Sequence, residues 1–371
     1  MNERNYMKRV ILSGGGTGGH FYPAVSVAEA LKRKWGDDVE VLFVGAEGKM
    51  EMEKVPSLGY NIVGLPIAGI QRRLTLKNLA LPWKALRSVW KARKVIREFR
   101  ADVVVGFGGY ASAPVMWMAQ RMGIPTLMQE QNSFAGKANK FLSKGAKRIC
   151  VAYDRMEQFF PKEKIVMTGN PLRGSFAAKE GKSQAALEYY GFRADVPTLL
   201  IVGGSLGTRT LNEMMKAWIL SLDGEAPVQV IWQTGKYYEQ EMRAFLAEHP
   251  TKNIFQCAFI ERMDYAYEVA DLVISRSGAC TISELQLVGK PTIFVPSPNV
   301  AEDHQTKNAM ALVEKDAALM VRDNVAVRDC MPLALQTLSD KALLESLREN
   351  ILSLGIADSA DRVVNEIEKY W

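Results

Sequence analysis

The chain has 371 residues, 48% of them hydrophobic and 24% charged, with a formal net charge of +6. This is the composition of an ordinary soluble globular protein, long enough for two domains with separate cores. No run reaches the roughly 18 apolar residues of a spanning helix, so a membrane could be met only at its surface. The modest basic excess suits an acidic ligand, an anionic membrane or nucleic acid without choosing among them. Cys150, Cys257, Cys280 and Cys330 are scattered without metal-like spacing and read as reduced thiols of a cytosolic protein. The N-terminus is polar and carries no signal-peptide pattern.

The first predicted element is a strand, Val10 to Leu12. It leads into Gly14, Gly15, Gly16, Gly18 and Gly19, interrupted only by Thr17, and then into His20 and a helical pattern from Val25 to Trp35. Glycines let backbone approach a ligand closely, and the helix that follows offers unpaired N–H groups and a positive dipole end. Such a loop suits a phosphate or a pyranose. His20 is its one titratable side chain.

Further apolar runs of strand length alternate with helical stretches: Val39–Val44, Asp102–Val105, Pro125–Met128, Thr198–Val202, Val228–Ile231, Asp271–Ile274 and Pro291–Val295. Near-continuous β-branched runs between helices mean parallel strands buried on both faces, an α/β class. The chain also repeats itself. Arg9–Gly16 is echoed by Leu199–Gly207, Ala101–Gly106 by Ala270–Ser275, and Gly123–Leu127 by Gly289–Ile293, in the same order. Two similar doubly wound domains are expected, with ligand loops at the carboxyl ends of their strands and a cleft between them. The join is expected near Gly169–Arg173, where turn formers interrupt the pattern. The expected domains are residues 1–170 with 352–371, and 171–351; the last helices, after Leu343, are free to cross back.

From Arg72 to Arg100 the chain carries ten Lys or Arg and one acid, Glu98, interleaved with leucines and tryptophans. Leu79, Trp83, Lys84, Arg87 and Trp90 fit an interfacial helix, with apolar groups in the headgroup region and cations on anionic lipid. A helix packed on the sheet with a solvated basic face fits equally. No nucleic-acid motif accompanies the patch. Gly106-Phe107-Gly108-Gly109-Tyr110 is a second glycine loop after a strand, expected to share a floor with the first. Gln129-Glu130-Gln131-Asn132 ends another strand, with Glu130 a base or hydrogen-bond partner and Asn132 a ligand contact.

In the second half, Gly203–Gly207 with Ser205 offers N–H groups and a hydroxyl to a phosphate. It lacks the Lys-Ser/Thr of a P-loop and a complete GxGxxG, so neither ATPase nor dehydrogenase is supported. Arg173 could add charge to a diphosphate. Ser275–Glu284 follows a strand and starts a helix; its small residues leave room for a nucleotide, and Glu284 could accept both hydroxyls of a ribose. Gln305 and Asn308 could bond sugar hydroxyls. His304 is expected to cap a helix, with a catalytic role as the alternative, and His249 to lie on the surface.

GGGTGGHFYPA, GFGGY, QEQN, GNPLR, GGSLG and SGACTISE, in this order, resemble the bacterial undecaprenyldiphospho-muramoylpentapeptide β-N-acetylglucosaminyltransferase (MurG) family over nearly the whole chain. The resemblance implies a GT-B fold: two Rossmann-like domains, the first binding the lipid-linked acceptor (lipid I), the second binding UDP-GlcNAc, with the C-terminal helix returning to the first. By motif, Thr17, Gly18, Gly19 and Asn132 would touch the donor from the first domain. Arg173 and Ser205 would meet the diphosphate, Ile260 the uracil, and Ala279, Cys280 and Thr281 the nucleotide. Glu284 would take the ribose and Gln305 the N-acetylglucosamine. Gly15, Gly16, Gly108, Gly109 and Tyr110 would form the acceptor loops. Many members have His where this chain has Gln129, so His20 and Glu130 are left as catalytic candidates.

The resemblance implies transfer, with inversion, of N-acetylglucosamine to the 4-hydroxyl of N-acetylmuramic acid. No Asp-x-Asp motif occurs, so no metal or other cofactor is expected. The expected partners are UDP-GlcNAc, lipid I, an anionic membrane surface and other cell-wall synthesis proteins, with no nucleic acid. The expected location is peripheral, on the cytoplasmic face of the inner membrane. The rivals are a UDP-GlcNAc 2-epimerase, which leaves the basic aromatic segment unexplained, and a non-catalytic UDP-sugar-binding membrane scaffold.

Overall fold

A computed structural model describes residues 7–67, 81–172, 176–179, 181–204 and 206–371. Runs of Val, Ile and Leu can be buried on both faces only in a parallel sheet covered by helices. The first such sheet contains β1 (Lys8–Ser13), β2 (Val39–Ala46), β3 (Asn61–Leu65), β4 (Val103–Gly106), β5 (Thr126–Glu130), β6 (Arg148–Val151) and β7 (Ile165–Met167). Its order is β3-β2-β1-β4-β5-β6-β7, parallel throughout. The second contains β8 (Thr198–Val202), β9 (Glu225–Gln233), β10 (Lys252–Cys257), β11 (Leu272–Ser275), β12 (Thr292–Phe294) and β13 (Leu319–Met320), in the order β10-β9-β8-β11-β12-β13. Both are Rossmann-like orders, and in both the strand sequence reverses between the first strand and the fourth: β1 and β4, then β8 and β11. The crevice at the carboxyl ends of such a pair is where open α/β sheets bind ligands.

The internal repeat extends to individual hydrogen bonds. Asp102 accepts the Arg9 N–H at 2.8 Å, and Asp271 accepts the Thr198 N–H at 2.7 Å. The Asp102 N–H returns to Arg9 and the Asp271 N–H to Thr198, each at 2.8 Å. The repeated Ala-Asp pair therefore does one job twice: a carboxylate pins the start of the first strand to the start of the fourth.

The chain divides into two compact units, Met1–Gly174 with Asp358–Trp371, and Ser175–Ala357. The return to the first unit begins later than residue 352. Helix α13 (Lys341–Ser353) stays on the second unit, with Leu347 and Ile351 buried and Leu352 backing Gly289. Helix α14 (Ser359–Ile367) then packs on α1 (Gly18–Trp35), with Val363, Val364 and Ile367 fully buried in the core beside Val25 and Leu31. Arg33–Asp361 and Lys34–Glu368 pair around the contact, and the Lys8 ammonium lies 3.8 Å over the Trp35 ring. The buried aliphatics dominate, at about 1.5–3 kcal/mol each against about 0–1 for exposed ion pairs.

Candidate active site

The first glycine loop joins β1 to α1 at the switch point of the first sheet, and the second, Phe107–Tyr110, follows β4 beside it. The two rest on each other. Gly109, at φ +81°, has the Gly15 carbonyl where a Cβ would lie, and Gly108, at φ +88°, has the His20 ring there, 2.7 Å away at Cδ2. The left-handed φ and the close approach both demand glycine. Tyr110, exposed, flanks Gly16. Thr17 is the N-cap of α1, yet its hydroxyl makes no cap bond; it bonds His20 Nδ1 at 2.9 Å instead. Thr17 and Gly19 are exposed, and Gly16, Gly18 and His20 half-buried. The loops therefore form a glycine floor with an oriented imidazole beside it.

The end of β5 is organised differently. Glu130 is buried, and its oxygens accept from Asn139 Nδ2 at 2.7 Å, from the Asn132 N–H at 3.1 Å and from Asn132 Nδ2 at 3.3 Å. Burial raises its pKa, opposed by these bonds. A carboxylate so enclosed orients Asn132 and Asn139. Gln129 is fully buried and donates to Asn170 at 3.0 Å, while Asn170 donates to the Gln131 carbonyl at 3.1 Å. The glutamine at this position thus closes an inward polar lock.

In the second unit, Gly203–Gly207 follows β8, and α10 (Ala279–Val288) starts after β11 across the equivalent switch point. Ala279 is buried, and Cys280 and Thr281 are half-buried in its first turn. Burial, with the nearby Glu284, pushes the Cys280 thiol up to about 12, so it stays protonated and unreactive at neutral pH. Glu284 sits one turn further on. Its Oε2 accepts from the Tyr267 hydroxyl at 3.2 Å, on α9 (Met263–Val269). Burial raises the Glu284 carboxyl to about 7, although the Tyr267 bond favours the ionised form. Ile260 is buried beside exposed Phe259, just after β10. Gln305 lies in α11 (His304–Val313); its side-chain oxygen accepts the Ser297 N–H at 2.9 Å. Asn308 is buried and donates to the Ser277 carbonyl at 3.4 Å. The helix cap expected of His304 falls to Asp303, and His304 is the first helical residue. His249 is exposed at the end of its helix. Arg173, Ser205 and Leu79 lie outside the described residues.

Helix α3 (Leu81–Phe99) is buried on its later turns and exposes apolar and basic side chains on its earlier ones. Ala92, Val95 and Ile96 are buried in the core. Earlier, Trp83, Leu86 and Trp90 are 65%, 49% and 62% exposed, among exposed Lys84 and Arg87. No helix among the described residues is long and apolar enough to cross a membrane.

Glu51, Tyr267, Asn139 and Asn170 are the side chains sequence reasoning did not assign. Each meets its partner from a separate element, so no local spacing marks it.

Two Rossmann-like parallel-sheet domains, each with a glycine-rich loop at its switch point, are the architecture of the GT-B fold. Residues 10–151 match the glycosyltransferase family 28 N-terminal domain and residues 198–363 the glycosyltransferase family 28 C-terminal domain. A relative from Parabacteroides distasonis is 52% identical over 363 residues, 97% of this chain and 98% of that one. One from Bacteroides fragilis is 52% identical over 362 residues, 97% and 95% of the two chains. Both bear the name UDP-N-acetylglucosamine–N-acetylmuramyl-(pentapeptide) pyrophosphoryl-undecaprenol N-acetylglucosamine transferase. The crystal structure of MurG from Acinetobacter baumannii superposes with a TM-score of 0.78 at 31% identity, over 98% of this chain and 99% of that one. The chain belongs to glycosyltransferase family 28.

Proposed function

We infer that this chain moves N-acetylglucosamine from UDP-GlcNAc to the 4-hydroxyl of N-acetylmuramic acid in undecaprenyl-diphospho-muramoylpentapeptide, converting lipid I to lipid II. The observation that carries the reading is the likeness, at 52% identity over 97% of the chain, to transferases of that name. The N-terminal domain holds the acceptor on the floor of Gly15, Gly16, Gly108, Gly109 and Tyr110. The C-terminal domain holds the nucleotide along Ala279, Cys280 and Thr281, with Ile260 at the uracil, Glu284 on the ribose and Gln305 donating to the N-acetylglucosamine. Thr17, Gly18, Gly19 and Asn132 meet the donor from the first domain.

The acceptor hydroxyl attacks the anomeric carbon from the face opposite UDP, so an α-linked donor gives a β-linked product. The C–O bond to UDP breaks as the new one forms, through an oxocarbenium-like transition state. In the tautomer whose Nδ1–H is donated to the Thr17 hydroxyl, His20 takes the acceptor's proton on Nε2. Of the two candidate bases it is the half-buried one, whereas the Glu130 oxygens are occupied by amides. Charge on departing UDP is met by the N-terminus of α10 and the amides of the loop after β8, backbone donors of the kind that stabilise developing charge, with Ser205 and Arg173 assigned to the diphosphate by motif alone. With no Asp-x-Asp motif in the sequence, this scheme uses no metal. Incubated with UDP-GlcNAc, a lipid I analogue and EDTA, the chain should form the disaccharide-linked lipid. No product under any condition would sink the transfer reading, and product only after adding Mg²⁺ would sink the metal-free one.

The exposed Trp83, Leu86 and Trp90 among Lys84 and Arg87 support a peripheral seat on an anionic membrane, at the cytoplasmic face where the acceptor's lipid would be met. A fully buried aromatic contributes about 1.5–3 kcal/mol. The Trp83→Ala/Trp90→Ala double variant should therefore lose at least tenfold in partitioning to phosphatidylglycerol vesicles. Unchanged cosedimentation would remove this face from the membrane reading.

A further inference from the structure

One carboxylate of the N-terminal domain takes no part in the chemistry above, yet it is built into the floor. Glu51 opens α2 (Glu51–Ser57) and is 1% exposed. Its Oε1 accepts the Ala46 N–H at 3.1 Å, at the end of β2. Both its oxygens accept the Gly16 N–H, at 3.1 and 3.0 Å. The neighbouring glycines make room for it: a Cβ on Gly15 would overlap the carboxylate, and one on Gly45 would meet Glu51 Cγ at 2.6 Å. A buried carboxylate is costly unless hydrogen-bonded, and bonds of this charged kind are roughly twice as strong as neutral ones. What they hold is the loop that rests on Gly108 and Gly109 and carries Thr17 and His20.

We propose that Glu51 is a positioning residue for the transfer: it clamps Gly16 from beneath, fixing Thr17 and His20 over the acceptor floor, and takes with its own carboxylate the Gly16 amide that the glycine loop would otherwise offer to an anion. The proposal rests on the reading of His20 as the base. It has a consequence for specificity. The first loop has the sequence of a phosphate cradle, but its Gly16 N–H is engaged and a negative charge lies below. That amide is therefore not offered to an anion on the floor.

The test uses the full chain, UDP-GlcNAc and a polyprenyl-diphosphate-linked N-acetylmuramoyl-peptide acceptor, with UDP binding measured separately. Glu51→Ala leaves a carboxylate-sized hole between two N–H groups. We expect kcat to fall on the order of 10²-fold, the scale of a misplacement of about 1 Å, with UDP affinity unchanged. Added formate should restore part of the lost kcat, an effect absent from wild type and from His20→Ala. Glu51→Gln keeps the volume and one carbonyl oxygen; it should lose less, and formate should not help it. Wild-type kcat in folded Glu51→Gln would overturn the proposal, and this arm decides alone if Glu51→Ala does not fold. A loss in Glu51→Ala that formate does not touch, or one matched by lost UDP affinity, would also overturn it by marking a purely structural role. Wild-type turnover in His20→Ala would instead overturn the base reading beneath it, so the two failures are told apart.

Discussion

Replacing His20 by alanine should lower turnover by roughly 10²–10⁴-fold, the usual contribution of a positioned general base, and leave UDP affinity unchanged. The split follows from the architecture. His20 stands at the switch point of the N-terminal sheet, against Gly108 and bonded to Thr17, whereas the proposed nucleotide contacts belong to the other domain. Thr17→Val should lower turnover less, because it frees the imidazole to rotate without removing it, and should weaken the donor as well through the contact proposed for Thr17. Glu130→Gln gives the contrast: it disturbs the Asn132 and Asn139 bonds, so its effect should fall on donor binding as well as turnover. Steady-state kinetics with UDP binding measured in parallel reads all three. Near-wild-type turnover in His20→Ala would make the histidine structural.

The second large effect belongs to Glu284. A carboxylate accepting from ribose hydroxyls loses roughly 10–100-fold in affinity when removed, since a hydrogen bond to a charged group is worth about 1.5–3 kcal/mol. Glu284→Ala should therefore weaken UDP-GlcNAc and UDP alike, and unchanged UDP affinity would take it out of the ribose site. The same residue sets a pH dependence. Burial raises its pKa to about 7 in the free protein. Below that the carboxyl is protonated and must release its proton before it can accept from the ribose. UDP affinity should thus be level above about pH 7 and fall up to tenfold per pH unit below it. Burial, together with Glu284, holds the Tyr267 phenol protonated far above neutral pH, so Tyr267 remains a donor throughout. Removing that donor with Tyr267→Phe should move the midpoint upward, and Glu284→Gln should flatten the profile. Calorimetry of UDP binding at a series of pH values checks the set.

These effects rest on a fold whose frame was legible in the chain. The doubled Ala-Asp pair, Asp102 and Asp271, predicted two equivalent domains, and the same carboxylate-to-backbone bonds recur in each. Long β-branched runs such as Thr198–Val202 were legible because burial on both faces leaves no polar positions to blur them. Strand β10 was harder: at the sheet edge, Lys252-Asn253-Ile254-Phe255-Gln256-Cys257 is exposed or half-buried and mixes polarity. The boundary near residue 352 missed because α13 and α14 are both amphipathic, and only packing decides which domain takes each. Among site residues, the glycine loops announced themselves through composition. Glu51 did not, because its partner Gly16 lies 35 residues away on another loop. Tyr267 reaches Glu284 from a separate helix 17 residues earlier. Side-chain locks across elements leave no periodic trace in a single sequence.

Acceptor-dependent glycosyl transfer is read out by UDP release. Supplied with UDP-GlcNAc alone, the chain should release almost no UDP and leave the sugar unepimerised. With a lipid I analogue it should release one UDP for each β-1,4-linked disaccharide formed. UDP release or epimerised sugar without acceptor, or UDP-GlcNAc bound but never cleaved when acceptor is present, would rule out glycosyl transfer to lipid I as this chain's reaction.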